Sequence, residues 1–223
     1  MPERSYRVLL WILALTGLIL DQSSKYSVFA WLGEKPDHEY VVFRTDKGTG
    51  FQLVAQFERD ASGVDRLEGG RRVPHVNQGA LFGFLRNHKA MANGGFALIS
   101  LLAAAAIIYW STLRGTARDR WLCCALGLIL AGTLGNFYDR IAFHGVRDFL
   151  HWNYLFDWPV FNIADCCLVC GACLLLLQAF ATQPAKDDAN PEPALESASS
   201  TLGRSAELSA ARVNAECRMQ NAE

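Results

Sequence analysis

Four stretches of this chain stay apolar long enough to cross a bilayer, whose hydrocarbon core takes about 20 residues of helix per crossing. The first reads VLLWILALTGLIL from Val8 to Leu20, meets Asp21, Gln22, Ser23, Ser24 and Lys25, and resumes through YSVFAWL, which predicts a helix from Tyr6 to Leu32. The others run from Asn93 to Leu113, Trp121 to Tyr138 and Pro159 to Ala181. A secretory signal peptide would explain the first run alone, but no small-x-small cleavage site follows it and three more apolar runs lie downstream. Averages hide this pattern, because 51% hydrophobic and 19% charged residues is close to an ordinary soluble composition.

The expected fold is therefore mainly α: a four-helix membrane bundle over residues 1–182. An extracytoplasmic β insertion, a hairpin or cradle, occupies residues 33–90 of it. Arg4 and Arg7 precede the first span, and Arg114, Arg118 and Arg120 fill the short second loop, so the positive-inside rule places both termini in the cytoplasm. The first outer loop is also basic, but the rule weakens for long loops that translocate as units. Within that loop EYVVFRT and FQLVAQF flank the turn-prone DKGTG, which predicts a hairpin, with a third strand near Arg72 to Val76. Residues 183–223 turn to Pro, Ala, Ser, Asp and Glu and read as a disordered cytoplasmic tail.

A net charge of −1 gives no basic footprint for nucleic acid. Of the seven cysteines only Cys217 lies in a polar stretch, so no disulfide framework is expected. Cys167, Cys170 and Cys173 have a spacing that also suits small packing residues in an apolar helix. The histidines follow no H-E-x-x-H pattern, and neither a metal nor a cofactor is expected.

Ionisable groups at membrane depth are costly and mark function or obligatory pairing. Asp21 and Lys25 stand at i and i+4 with the acid first, the favourable order for a local ion pair. A Ser-Lys protease built on Ser23 or Ser24 is disfavoured, since neighbouring helical residues project in different directions. Asn136, Asp139 and Arg140 share one helix face as a prospective polar unit, with Arg140 the expected counterion of Asp139. Asp148 in GVRDFL and Asp165 in FNIADCC have no neutralising base at helical spacing, and the adjacent Arg147 points elsewhere. Asn162 is placed to cap the helix that Asp165 begins. Two carboxylates brought together there could share one proton, one activating water and the other protonating the scissile group. A proton or cation transporter and a scaffold locked by polar contacts remain the competing readings.

The ordered set DQSSK at 21–25, NQGALFGFL at 77–85, GNFYDR at 135–140, VRDF at 146–149 and FNIAD at 161–165 resembles bacterial lipoprotein signal peptidase, or signal peptidase II, over residues 8–181. The resemblance implies an aspartic endopeptidase with Asp148 and Asp165 as the catalytic pair. It implies a supporting and substrate-binding shell of Asp21, Lys25, Asn77, Gly79, Asn136, Asp139, Arg140 and Asn162. It also implies prolipoprotein substrates carrying a diacylglyceryl cysteine, cut on the amino side of that cysteine, and sensitivity to globomycin. The expected setting is the bacterial inner membrane, with membrane lipid as a further partner, a monomeric state and the site toward the extracytoplasmic face. The chain departs from the family pattern in Leu81, which stands where a second small residue is usual, in a longer outer loop, and in the tail, expected to be dispensable for catalysis.

Overall fold

The structure is a computed structural model that describes residues 5–79 and 89–181. Leu81 and the tail at 183–223 lie outside the described residues. Among the described residues four helices are long and apolar enough to cross a membrane: α1 (Arg7–Gly33), α2 (Lys89–Thr112), α4 (Arg120–Ala142) and α5 (Ile163–Ala181). A short helix, α3 (Arg114–Arg118), fills the loop between the second and third spans. Large apolar residues such as Ile19, Ile99, Leu102, Leu177 and Phe180 face outward on these helices, as lipid-facing side chains do.

Helix α4 is central and packs against α1, α2 and α5. Close approach is possible because its inner faces carry glycine. A Cβ on Gly132 would sit 2.3 Å from the Ala164 carbonyl oxygen, and one on Gly135 would sit 2.6 Å from the Asp21 carboxylate. Small residues at such crossings let van der Waals packing hold helices that lipid does not drive together. At one end of the bundle Arg7 donates to the carbonyls of Ser111 and Thr112, and the Tyr6 N–H donates to Ala117 at 2.7 Å. The arginine-rich second loop thus meets the start of α1.

The outer loops build a small antiparallel sheet in the order β1 (Glu39–Arg44), β2 (Gly50–Val54), β5 (Leu150–Trp152). The expected hairpin is present, with Tyr40 opposite Leu53 and a register shift between Val41 and Phe43. The third strand expected near Arg72 to Val76 is reduced to an isolated antiparallel bridge of Phe57 with Pro74, with His75 donating to the Gln56 carbonyl at 2.8 Å and Glu58 to that of Val73 at 2.9 Å. The third place in the sheet is taken by β5, with Phe51 opposite Trp152 and Leu53 opposite Leu150. Residues 67–72 instead turn back on themselves as β3 (Leu67–Glu68) and β4 (Arg71–Arg72), because Gly69 and Gly70, both at positive φ, close a tight turn between them.

Helix α5 starts at Ile163, four residues later than expected from Pro159. The reason is local: Phe161 and Leu150 exchange both backbone hydrogen bonds at 2.9 Å, so the chain stays extended until the cap. Phe29 and Leu32 of α1 bury with Ala55, Phe149 and Leu150 in one cluster that seats the sheet on the bundle. Phe149 is 2% exposed, and burying a side chain of that size contributes about 2 kcal/mol. It therefore anchors the residue beside it, Asp148.

Candidate active site

Each acid flagged in the sequence lies at the sheet end of the bundle, and three segments far apart in the chain supply the contacts. Asn162 caps α5 in reciprocal fashion: its Oδ1 accepts from the Asp165 N–H at 3.1 Å, and its own N–H donates to Asp165 Oδ2 at 3.1 Å. Another of the free N–H groups of that first turn, from Ala164, donates to Asp21 Oδ1 at 2.9 Å. The N-terminus of α5 thus fixes two carboxylates of different helices in one place, where the helix dipole favours negative charge.

Asn162 also joins the two half-buried acids. Its Nδ2 donates to Asp148 Oδ1 at 2.7 Å and to Asn136 Oδ1 at 3.3 Å. Asn136 Nδ2 donates to Asp165 Oδ1 at 2.8 Å, and Asn77 Nδ2 donates to Asp148 Oδ2 at 3.0 Å. Every oxygen of Asp148 and Asp165 is therefore held by an amide donor, and among the described residues no cation lies within ion-pair distance of either carboxylate. Burial pushes Asp148 up to about 6, against the hydrogen bonds from Asn77 and Asn162, with the Asp165 charge adding to the rise. The pair therefore has a carboxyl that takes a proton readily beside a second carboxylate.

Asn77 reaches the site because the end of the first outer loop pairs with the segment before Asp148. Its N–H donates to the Val146 carbonyl at 2.7 Å and its carbonyl accepts from Val146 at 2.9 Å. Gly79 completes the turn, donating to Asn77 Oδ1 at 2.9 Å with φ of +84°. A Cβ there would also stand 2.4 Å from the Phe96 ring.

Beneath the pair lies a buried ionic layer. Lys25 Nζ donates to Asp21 Oδ2 at 2.9 Å, lies 3.3 Å from Asp139 Oδ2, and reaches Asn136 Oδ1 at 3.3 Å. The ion pair of Asp21 and Lys25 is present as its i, i+4 spacing implies, and both side chains are fully buried. Ser24 turns instead to the Asp21 carbonyl at 2.8 Å, away from Lys25.

The expected partnership of Asp139 with Arg140 is corrected. Asp139 pairs with Lys25 and with Arg147, whose Nη2 lies 2.8 Å from Asp139 Oδ1. Arg140 points to another helix, donating to Asn93 Oδ1 at 3.3 Å and standing over the Phe96 ring at 4.8 Å. Adjacent helical residues diverge by about 100°, so Arg140 cannot follow Asp139 inward. Asn136, Asp139 and Arg140 consequently do not work as one unit: Asn136 and Asp139 share Lys25, the first reaching on to Asp165 and the second to Arg147, while Arg140 goes to α2.

Two members of this layer escaped the sequence reading. Gln22 donates to Asp21, to the Gly135 carbonyl at 3.1 Å and to Asp139 at 3.3 Å. Arg147 is 2% exposed. Both stand next to a flagged residue, and a polar side chain embedded in an apolar run was the available signal for Gln22.

The signal peptidase (SPase) II family model matches residues 13–181. A lipoprotein signal peptidase of Rhodopirellula baltica is 35% identical over 192 residues, covering 80% of this chain and 74% of that protein. One from Pseudomonas syringae pv. tomato is 37% identical over 116 residues, covering 51% of this chain and 66% of the relative. In fold the chain resembles a bacterial membrane enzyme solved by the in meso method at 2.3 Å resolution, with TM-score 0.62 and 23% identity over 84% of this chain and 97% of that one.

Proposed function

The chain belongs to the signal peptidase II family, and from that premise we propose that it is an aspartic endopeptidase removing signal peptides from prolipoproteins at the outer face of the bacterial inner membrane. The observation that carries the aspartic assignment is the single residue, Asn162, whose side-chain amide donates to the Asp148 carboxylate and whose peptide N–H donates to that of Asp165. The substrate class follows from relatives named lipoprotein signal peptidase. The motif resemblance narrows it to prolipoproteins with a diacylglyceryl cysteine, cut on the amino side of that residue.

In this reading Asp148, which burial holds above the ordinary carboxylate range, carries the pair's shared proton at the start of the cycle. Asp165 takes a proton from a water as its oxygen attacks the scissile carbonyl carbon, and Asp148 gives its proton to the carbonyl oxygen. Collapse of the tetrahedral diol breaks the C–N bond: the proton held by Asp165 passes to the departing cysteine nitrogen, and one diol hydroxyl returns its proton to Asp148 as its oxygen becomes the carbonyl of the new carboxyl group. The amides of Asn77, Asn136 and Asn162 hold the carboxylates in place throughout without neutralising them. Asp21, Lys25 and Asp139 support the pair from below. Arg140 acts at one remove, backing Phe96, which in turn abuts Gly79. All these residues come from one chain, in keeping with a monomer.

The test is cleavage of a diacylglyceryl-modified prolipoprotein by purified protein. Asp148→Asn and Asp165→Asn should each lower turnover by about 10²- to 10⁴-fold, the range for a positioned acid or base. Wild-type turnover in either variant would sink the dyad.

A further inference from the structure

Asp148 belongs to no helix or strand. It stands between the end of α4 at Ala142 and the start of β5 at Leu150, so its carboxylate is only as well placed as the loop that carries it. On one side Phe149 donates its N–H to the Phe161 carbonyl at 3.0 Å. On the other side the loop is held by Arg147. Its peptide N–H donates to Asp139 Oδ2 at 2.9 Å, and its guanidinium reaches the same carboxylate through Nη2 at 2.8 Å and Nε at 3.3 Å. A second bond from Nη2 goes to Gln22 Oε1 at 2.9 Å. The guanidinium lies 3.9 Å from the Phe143 ring centroid and 4.3 Å from that of Tyr26.

We propose that Arg147 is a positioning residue: by clipping its backbone and its guanidinium to the one carboxylate of Asp139, it fixes the direction in which the chain delivers Asp148 to Asp165. The inference rests on the dyad reading above. Stability alone does not account for the arrangement. Lys25 is shared between Asp21 and Asp139, so Arg147 supplies the second positive charge of the layer, yet neutralisation needs one contact and Arg147 makes three to Asp139, its peptide N–H among them. A fork-shaped cation held between two rings, with donors at fixed angles, suits orientation better than simple neutralisation. The same carboxylate faces Lys25, which reaches Asn136 and through it Asp165, so one anion aligns both acids.

Arg147→Met and Arg147→Lys test this with Asp148→Asn alongside, on one diacylglyceryl-modified prolipoprotein. Methionine fills the slot between Tyr26 and Phe143 but leaves Asp139 to share Lys25 with Asp21, so a stabilising role alone predicts a lower thermal midpoint with kcat unchanged in the folded protein. Positioning predicts that kcat of the folded variant is lower by about ten- to a hundredfold, since a displacement near 1 Å has that order of effect, with KM within about twofold, whatever the shift in midpoint. Lysine restores the charge without the fork and should stay well below wild type. Wild-type kcat in either folded variant, or a loss carried by KM alone, overturns the proposal. So does failure of both variants to fold, which would make Arg147 a folding residue. Activity in Asp148→Asn would instead remove the dyad itself, a failure that the Arg147 variants cannot imitate.

Discussion

A carboxyl held above its unfolded value ties both stability and catalysis to pH, and Asp148 is such a group, raised from 3.8 to about 6 mainly by burial. Its protonated form is the one the fold favours. The stabilisation is complete below the ordinary carboxylate range and is lost as pH rises through about 6. Asp148→Asn keeps the neutral shape at every pH, so its thermal midpoint should rise relative to wild type between about pH 4 and pH 7 and stay flat beyond. A constant difference across that range would show that Asp148 is not the group titrating. Catalysis should report the same proton differently in free and loaded enzyme. Substrate covering the half-buried pair removes more water and pushes the carboxyl further up, so the alkaline limb of kcat should lie at higher pH than that of kcat/KM. Coincident limbs would indicate that the site is already dry before substrate arrives. These limbs belong to the pair as a unit, because coupled acids titrate together.

At the scale of elements, the crossing of α4 with α5 sets where Asp165 stands relative to Asn136. Gly132→Ala would drive a Cβ to 2.3 Å from the Ala164 carbonyl, and backbone cannot yield as a side-chain tip does. The expected result is destabilisation of about 1–3 kcal/mol with a parallel fall in kcat as α5 is pushed from Asn136. Gly94→Ala on α2 is the control, because nothing lies within 4 Å of its Cβ. It should stabilise by up to about 1 kcal/mol through helix propensity and leave kcat intact. Equal midpoints for the two variants would mean that the α4–α5 crossing relaxes without cost. The helices themselves were legible in the sequence, because long apolar runs have one outcome in a bilayer. The cap was legible too, since Asn162 stands three residues before Asp165. The third strand was not: β5 has three residues and pairs with β2 about a hundred positions away, so nothing local in LHW specifies it. Pairing of Asp139 with Lys25 was hidden for the same reason, since only the crossing of α1 and α4 brings them together, and pairing with Arg147 depends on how the loop after α4 turns back.

For the whole molecule, the dyad and the arginine-rich loop lie at opposite ends of one bundle, which makes orientation a question about where the chemistry happens. Arg7 reaches the carbonyls of Ser111 and Thr112 at one end, while Asn77, Asp148 and Asn162 meet at the other. The charge of short loops sets orientation, and Arg114, Arg118 and Arg120 lie in the shortest loop, so that end should face the cytoplasm and the dyad the outside. Cysteine chemistry can decide this with little alteration. Cys123 is buried, Cys124, Cys166 and Cys167 are half-buried, and Cys170 and Cys173 point outward from an apolar helix where a charged reagent would meet lipid. Cys217 lies in a polar stretch beyond the spans, where the expected cytoplasmic tail would offer it to a membrane-impermeant maleimide. In intact spheroplasts Cys217 should stay unlabelled and react only after the membrane is opened, with Cys217→Ser losing the signal. A cysteine placed at the exposed Ser62 of the outer loop in that Cys217→Ser background should label at once in intact spheroplasts. The reverse pattern would put the dyad in the cytoplasm, where a prolipoprotein's lipidated cysteine does not emerge, and would remove the proposed substrate along with the orientation.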